Sequence, residues 1–273
     1  MSRPSDFASG APHQNILGLL QGSIGQVTEA ERQRILAEVT GLFLRAGIGA
    51  NGESAALFDD LFIKLSAGLD TDALVTLAEA LATAAAAPLT TLRMLAWHES
   101  AAVAAPILAR SEALTSDDLA ALAATVETER LRAICTRPRI DKPLSAIIVA
   151  RDNPAAIAKL LANPGVAFTI PDFRSALASA VSDSRGRVEL RQPVDILDFA
   201  GRRGGRCMTR DISPGGIKIE LAGGGRPPDS FMLEMPGIGR VRLTCRYVWH
   251  RDSTVGAMLS EPLFDQLAVQ QSR

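Results

Sequence analysis

The sequence predicts an α+β multidomain protein: an N-terminal all-α domain of helical repeats, of the HEAT or armadillo kind, followed by a small six-stranded antiparallel β-barrel with a C-terminal helix. Three observations carry this. Apolar residues recur at helical spacing to about residue 182 and then change to short alternating runs. Glycine shifts with them, 10 in residues 1–184 against 12 in the last 89. Charge shifts as well, from 15 basic and 20 acidic residues in the first part to 14 and 10 in the second, so the net charge of −1 is a cancellation. The expected boundaries are an N-terminal extension at 1–26, the helical domain at 27–182, a linker at 183–191, and the barrel with its helix at 192–273.

The first helix begins at a capping-box pattern, Thr28 with Glu31, continues through Ile35, Val39, Leu42 and Leu44, and stops at Gly47 and Gly49. Short amphipathic segments follow at about 54–67, 71–85, 89–97, 101–110, 116–125, 128–136, 143–150, 154–162 and 172–182. Asp70, Ser116, Asn153 and Pro171 are the expected starters, and Pro88, Pro138 and Pro164 interrupt. Leu92-Arg93-Met94-Leu95 is echoed by Leu131-Arg132-Ala133-Ile134, and Ile107 to Arg110 by Ile148 to Arg151, offsets of 39 and 41. A period near 40 suits stacked helical repeats, whose hairpins bury their apolar faces only against neighbours. Such a domain offers a surface for a protein partner and no visible chemistry.

Six strands are expected next, at 194–199, 207–212, 217–221, 230–235, 240–249 and 255–259, with a closing helix at about 262–270. Ile217, Ile219 and Leu221 alternate with Lys218 and Glu220, giving one buried and one wet face. Turn residues separate the runs, among them Pro214-Gly215-Gly216 and Gly223-Gly224-Gly225.

Several functions are set aside on residue pattern. No stretch approaches the roughly 20 apolar residues that span a bilayer, and the N-terminus lacks a secretory pattern, so a cytoplasmic protein without membrane insertion is expected. Cys135, Cys207 and Cys245 are an odd set at wide spacing, which fits buried thiols. His13, His98 and His250 have no ligand-type neighbours, so no metal site is expected. Trp97-His98-Glu99 lies in the helical region without a nucleophile motif, and the glycine run is not followed by Lys-Ser/Thr, so no enzyme is expected. Arg202, Arg203, Arg206 and Arg210 read as a basic hairpin that attracts an anion, with no specific nucleic acid as partner.

One constellation is informative. Arg187 and Arg191 form an R-x-x-x-R pair at the join between the domains, and Asp211-Ile212-Ser213-Pro214-Gly215-Gly216 forms D-x-S-x-x-G. The arginine spacing alone means little, since it recurs at 202/206, 206/210 and 242/246. Position selects the first pair. In an extended segment Asp211 and Ser213 face one side, and Gly216 is expected to use a positive φ that brings backbone amides near a ligand. Two guanidinium forks beside a carboxylate and a hydroxyl suit a ligand that carries phosphates and guanine. Read structurally, the same residues are solvated linker charges and an Asx-type turn.

Residues 185–262 resemble a PilZ domain, the bacterial receptor module for cyclic di-GMP. Besides the two motifs, Arg191-Gln192-Pro193-Val194 resembles the family's entry to the first strand, and Val248-Trp249-His250 followed by Gly256 its closing strands. The resemblance implies that Arg187 and Arg191 hold the phosphates and guanines of an often intercalated nucleotide dimer, with Asp211, Ser213 and Gly216 contacting guanine and no further cofactor. Two departures are the thin basic cluster before Arg187 and Leu259 where a closing aromatic is usual. Residues of roughly 30–180 resemble an uncharacterised family of alphaproteobacterial helical domains, through Leu92 to Arg110, Ser116 to Leu122 and Leu131 to Pro164. Together these imply a cyclic di-GMP receptor that repositions a helical protein-interaction domain. The alternative is a ligand-independent adaptor with a degenerate barrel.

Overall fold

The computed structural model describes residues 28–46, 52–84, 88–183, 186–223 and 226–271. The predicted extension at 1–26, the stop at Gly47 and Gly49, and His13 lie outside these residues. Packing divides the chain into two compact units, up to Thr115 and from Ser116 onward. The sequence reading closes the helical domain at 182, whereas the unit that contains the barrel begins at Ser116.

The first unit holds α1 (Glu29–Ala46), α2 (Gly52–Ser66), α3 (Thr71–Leu81), α4 (Leu89–Ala96) and α5 (Ala101–Arg110). The capping box is formed: the Thr28 amide donates to the Glu31 carboxylate at 3.0 Å and the Glu31 amide to the Thr28 hydroxyl at 3.4 Å. Asp70 caps α3 by accepting from the Ala73 amide at 2.8 Å. The core is centred on Phe43, Phe58 and Phe62, with centroids 5.1 to 6.1 Å apart, and these three rings give α1 and α2 aromatic packing that alanine cannot supply.

Asp59 of α2 caps the start of α4 from a distance, accepting from the Thr90 and Thr91 amides and the Thr91 hydroxyl at 2.6 to 2.9 Å. Burial raises the Asp59 carboxyl, but these bonds outweigh it and hold its pKa below the ordinary value. A depressed folded pKa contributes stability above the unfolded value and loses it as pH falls through the folded one. Thermal unfolding followed between about pH 5 and about pH 3 should therefore fall more steeply in the wild type than in Asp59→Asn. Parallel curves would refute the assignment.

The second unit opens with α6 (Ser116–Thr125), α7 (Thr128–Ile134), α8 (Lys142–Ala150), α9 (Pro154–Leu161) and α10 (Ile170–Asp183). Asp141 and Asn153 cap α8 and α9 by accepting from Leu144 and Ala156 amides, each at 3.0 Å. The α10 cap is Thr169, which accepts from the Asp172 amide at 3.2 Å, so Pro171 lies one residue inside the helix. Arg151 donates to the Ala123 and Val126 carbonyls at 2.9 and 3.0 Å and thereby satisfies the C-terminal end of α6. Starts of α4 and α7 lie 39 residues apart and those of α5 and α8 lie 41 apart, although a HEAT or armadillo superhelix does not follow from spacing alone.

The strands are β1 (Val188–Glu189), β2 (Pro193–Leu197), β3 (Arg203–Ser213), β4 (Gly216–Leu221), β5 (Ser230–Met235), β6 (Val241–Arg251) and β7 (Thr254–Leu259), followed by α11 (Leu263–Gln271). All pairings are antiparallel, and β3-β2-β5-β6-β7-β4 closes through a β3–β4 pairing into a six-stranded barrel. Val194, Ile212, Ile217, Ile219, Phe231, Leu233, Leu243 and Val255 fill it. Short β1 extends β2 along β3 after an interruption at 190–192, where the buried Thr209 hydroxyl accepts from the Gln192 amide at 2.8 Å and donates to the Leu190 carbonyl at 2.9 Å. At the other side the first half of β6 outruns β7. There Gln270 bonds both backbone groups of Arg242, and Gln266 both of Thr244, at 2.6 to 3.4 Å, so two side-chain amides stand in for a strand.

Candidate functional site

Strand register assembles the site. The turn at Pro214–Gly215 pairs Ser213 with Gly216, Ile212 with Ile217 and Asp211 with Lys218. Lys218 then pairs with Gly256, and Gly256 with Trp249, while Asp211 pairs on its other side with Glu189. Because alternate residues face opposite sides, Glu189, Asp211, Lys218, Gly256 and Trp249 form one row across the outside of five strands. Ser213, Gly216, Met258 and Arg246 form the next.

Arg187, just ahead of β1, places its guanidinium on one oxygen of Asp211, and the Lys218 ammonium lies 3.0 Å from the other. Arg191 lies just past the other end of β1, its Nε 3.3 Å from Glu189. Arg210 and Glu220 pair at 3.0 Å. Hydrogen bonding to Glu220 raises the Arg210 pKa and the reciprocal bond lowers that of Glu220, so both charges are held across the neutral range.

Ser213 donates to the Gly216 carbonyl at 3.1 Å across the turn. The expected positive φ at Gly216 is not found. A Cβ there would stand 3.1 Å from the Ala257 carbonyl of the adjoining strand, a tight contact that glycine avoids. Gly256 is more restrictive: a Cβ would lie 2.2 Å from the Trp249 Nε1, because the indole rests directly on that backbone. Trp249 nevertheless keeps 40% of its surface exposed, with Val248 and Met258 exposed beside it. The result is a flat apolar floor bordered by cations. It forms a cleft of about 200 Å³ lined by Arg187, Ser213, Gly216, Lys218, Trp249 and Met258. A second cleft of about 260 Å³, with Arg210, Asp211 and Arg251, lies beyond the Lys218–Trp249 ridge. In Gly256→Ala the indole must leave its seat, so Trp249 emission should shift and the cleft floor should be lost; an unchanged spectrum would contradict this packing.

Of the residues expected from sequence, Arg187 and Asp211 are brought into contact, and Ser213 and Gly216 occupy the adjacent row. Arg191 touches none of the other four; its salt bridge is to Glu189. The motif reading missed Lys218 and the charged partner Glu189. The proposed basic hairpin is also not a set of free cations: Arg202 pairs with Asp198 at 2.8 Å, and Arg203 and Arg206 approach the buried Asp195 at 3.3 and 3.6 Å. Burial raises the thiols of Cys135, Cys207 and Cys245 to about 12, so none is a nucleophile at neutral pH. Among the described residues no group of three or more His, Cys, Asp or Glu could hold a metal, and no helix is long and apolar enough to cross a membrane.

A larger cleft of about 430 Å³ lies between α1 and α3, but its charged lining is Asp70 and Asp72, which repels an anion. The site row, with its cations and exposed ring, is the better receiver of an anionic aromatic ligand despite its smaller volume.

Residues 182–269 match the family model of the PilZ domain. Residues 103–194 match that of an uncharacterised protein conserved in bacteria (DUF2336). The matches overlap at 182–194, the stretch that carries Arg187 and Arg191. No curated protein matches the chain.

Proposed function

We propose that the chain, whose residues 182–269 match the PilZ family model, is a cytoplasmic receptor for cyclic di-GMP that passes the binding event to a helical protein-interaction surface. The observation that carries this is the row in which Asp211, paired by Arg187 and Lys218, shares one face of the barrel with the exposed Trp249 indole, with Ser213 and Gly216 in the adjacent row. Guanine presents N–H donors to a carboxylate, its ring suits an aromatic floor, and the phosphates suit the arginine forks. Calorimetric titration with cyclic di-GMP is the direct test. Absence of heat at high micromolar ligand sinks the reading and favours an adaptor that binds only protein.

The route to the helices starts at Arg191. Its amide donates to the Leu161 carbonyl at 3.0 Å, closing the C-terminal end of α9, and the buried Gln192 side chain donates to the Asn163 carbonyl at 3.0 Å. Asn163 in turn donates to the Cys135 and Arg137 carbonyls at 2.7 and 2.8 Å, just past α7. A ligand that draws the Arg191 side chain inward pulls on a backbone bonded to two helix ends. The required driving force is a difference in ligand affinity between the two positions of this segment.

A further inference from the structure

Both oxygens of Asp211 are occupied, one by Arg187 and the other by the Lys218 ammonium at 3.0 Å. A guanine edge that presents two N–H donors therefore cannot reach this carboxylate unless a cation moves. Lys218 is the more mobile of the two: a hydrated point charge on a flexible stem, half-buried, with both clefts within its reach. Its surroundings favour an anion. The Arg187–Asp211–Lys218 trio carries one excess positive charge, and the charged groups on neighbouring strands cancel in pairs, Arg210 with Glu220 and Arg191 with Glu189, while Arg251 and Asp252 both line the second cleft.

We infer that Lys218 is a further ligand-binding residue: on cyclic di-GMP binding its ammonium leaves Asp211 for a phosphate oxygen of the dinucleotide. The inference rests on the receptor reading above and adds to it a residue outside both sequence motifs. In the free protein Lys218 shields Asp211, and in the complex it neutralises the ligand. A lysine that only shielded Asp211 would compete with the ligand, so its removal would tighten binding. One that transfers to phosphate makes a net contribution.

The test is calorimetric titration of wild type, Lys218→Met and Lys218→Arg with cyclic di-GMP at several salt concentrations. Methionine keeps the stem on the strand and removes the charge. Lys218→Met should bind roughly tenfold more weakly, with the slope of log affinity against log salt reduced by about one phosphate contact. Lys218→Arg should recover most of the affinity. Wild-type binding with Lys218→Met equal or tighter, and an unchanged slope, overturns this inference alone. No binding by the wild type overturns the receptor reading and this inference together.

Discussion

If the proposed receptor reading holds, replacing Arg187 and Arg191 together with alanine should reduce cyclic di-GMP affinity by at least about a hundredfold, because each charge-assisted contact is worth about 1–3 kcal/mol and both guanidinium groups lie on the barrel's outer face. The two losses should differ in kind. Arg187→Ala also frees one oxygen of Asp211, which lowers the cost of exposing that carboxylate to guanine and offsets part of the loss. Arg191 pairs with the exposed Glu189, a contact of little worth in water, so Arg191→Ala should lose the phosphate contact proposed for it with little regained. Calorimetry on the wild type, the two single variants and the double resolves this. Wild-type binding with unchanged affinity in the double variant, in protein that melts like the wild type, would show that the barrel does not use these arginines for a ligand.

The second large effect is on stability. Asn163→Ala should destabilise the second unit by about 2–4 kcal/mol, since removing its side chain takes one hydrogen bond each from the Cys135 and Arg137 carbonyls and from the Gly165 amide. The denaturation midpoint should fall while the slope stays that of the wild type. A loss below about 0.5 kcal/mol, the range of ordinary surface changes, would mean that water replaces the amide and that the joint with the barrel is loose. Gln192→Ala, which keeps Asn163 intact, should cost less and still weaken the link from Arg191 to α7.

Much of this architecture is legible in the sequence because local chemistry decided it. Thr28 with Glu31, Asp70 and Asn153 each satisfy helix amides from within three residues, and no tertiary contact overrides them. Even the missed Lys218 was within reach. A two-residue turn at Pro214–Gly215 fixes pairing outward from Ser213 and Gly216, so counting two steps sets Asp211 opposite Lys218. Trp249 is different. A register shift between Tyr247 and Trp249 breaks the alternation of β6, and no count along the strand reveals that the ring sits on Gly256. Arg191 was also beyond reach, because its neighbours are set by how α9 docks on the break between β1 and β2. The basic hairpin failed as a free patch because Asp195, read as one more residue of a strand, is buried beneath it.

The pair of glutamines against β6 has a consequence for solubility. Backbone groups left bare on a strand are a template on which another chain can pair, and the first half of β6, beyond the reach of β7, is such a place. Gln266 and Gln270, four residues apart on one face of α11, cover the backbone groups of Arg242 and Thr244 that β7 leaves behind. The final helix thus works as a stopper against chain-to-chain polymerisation, and a product truncated before Leu263 would carry an adhesive edge however well its ligand face were preserved.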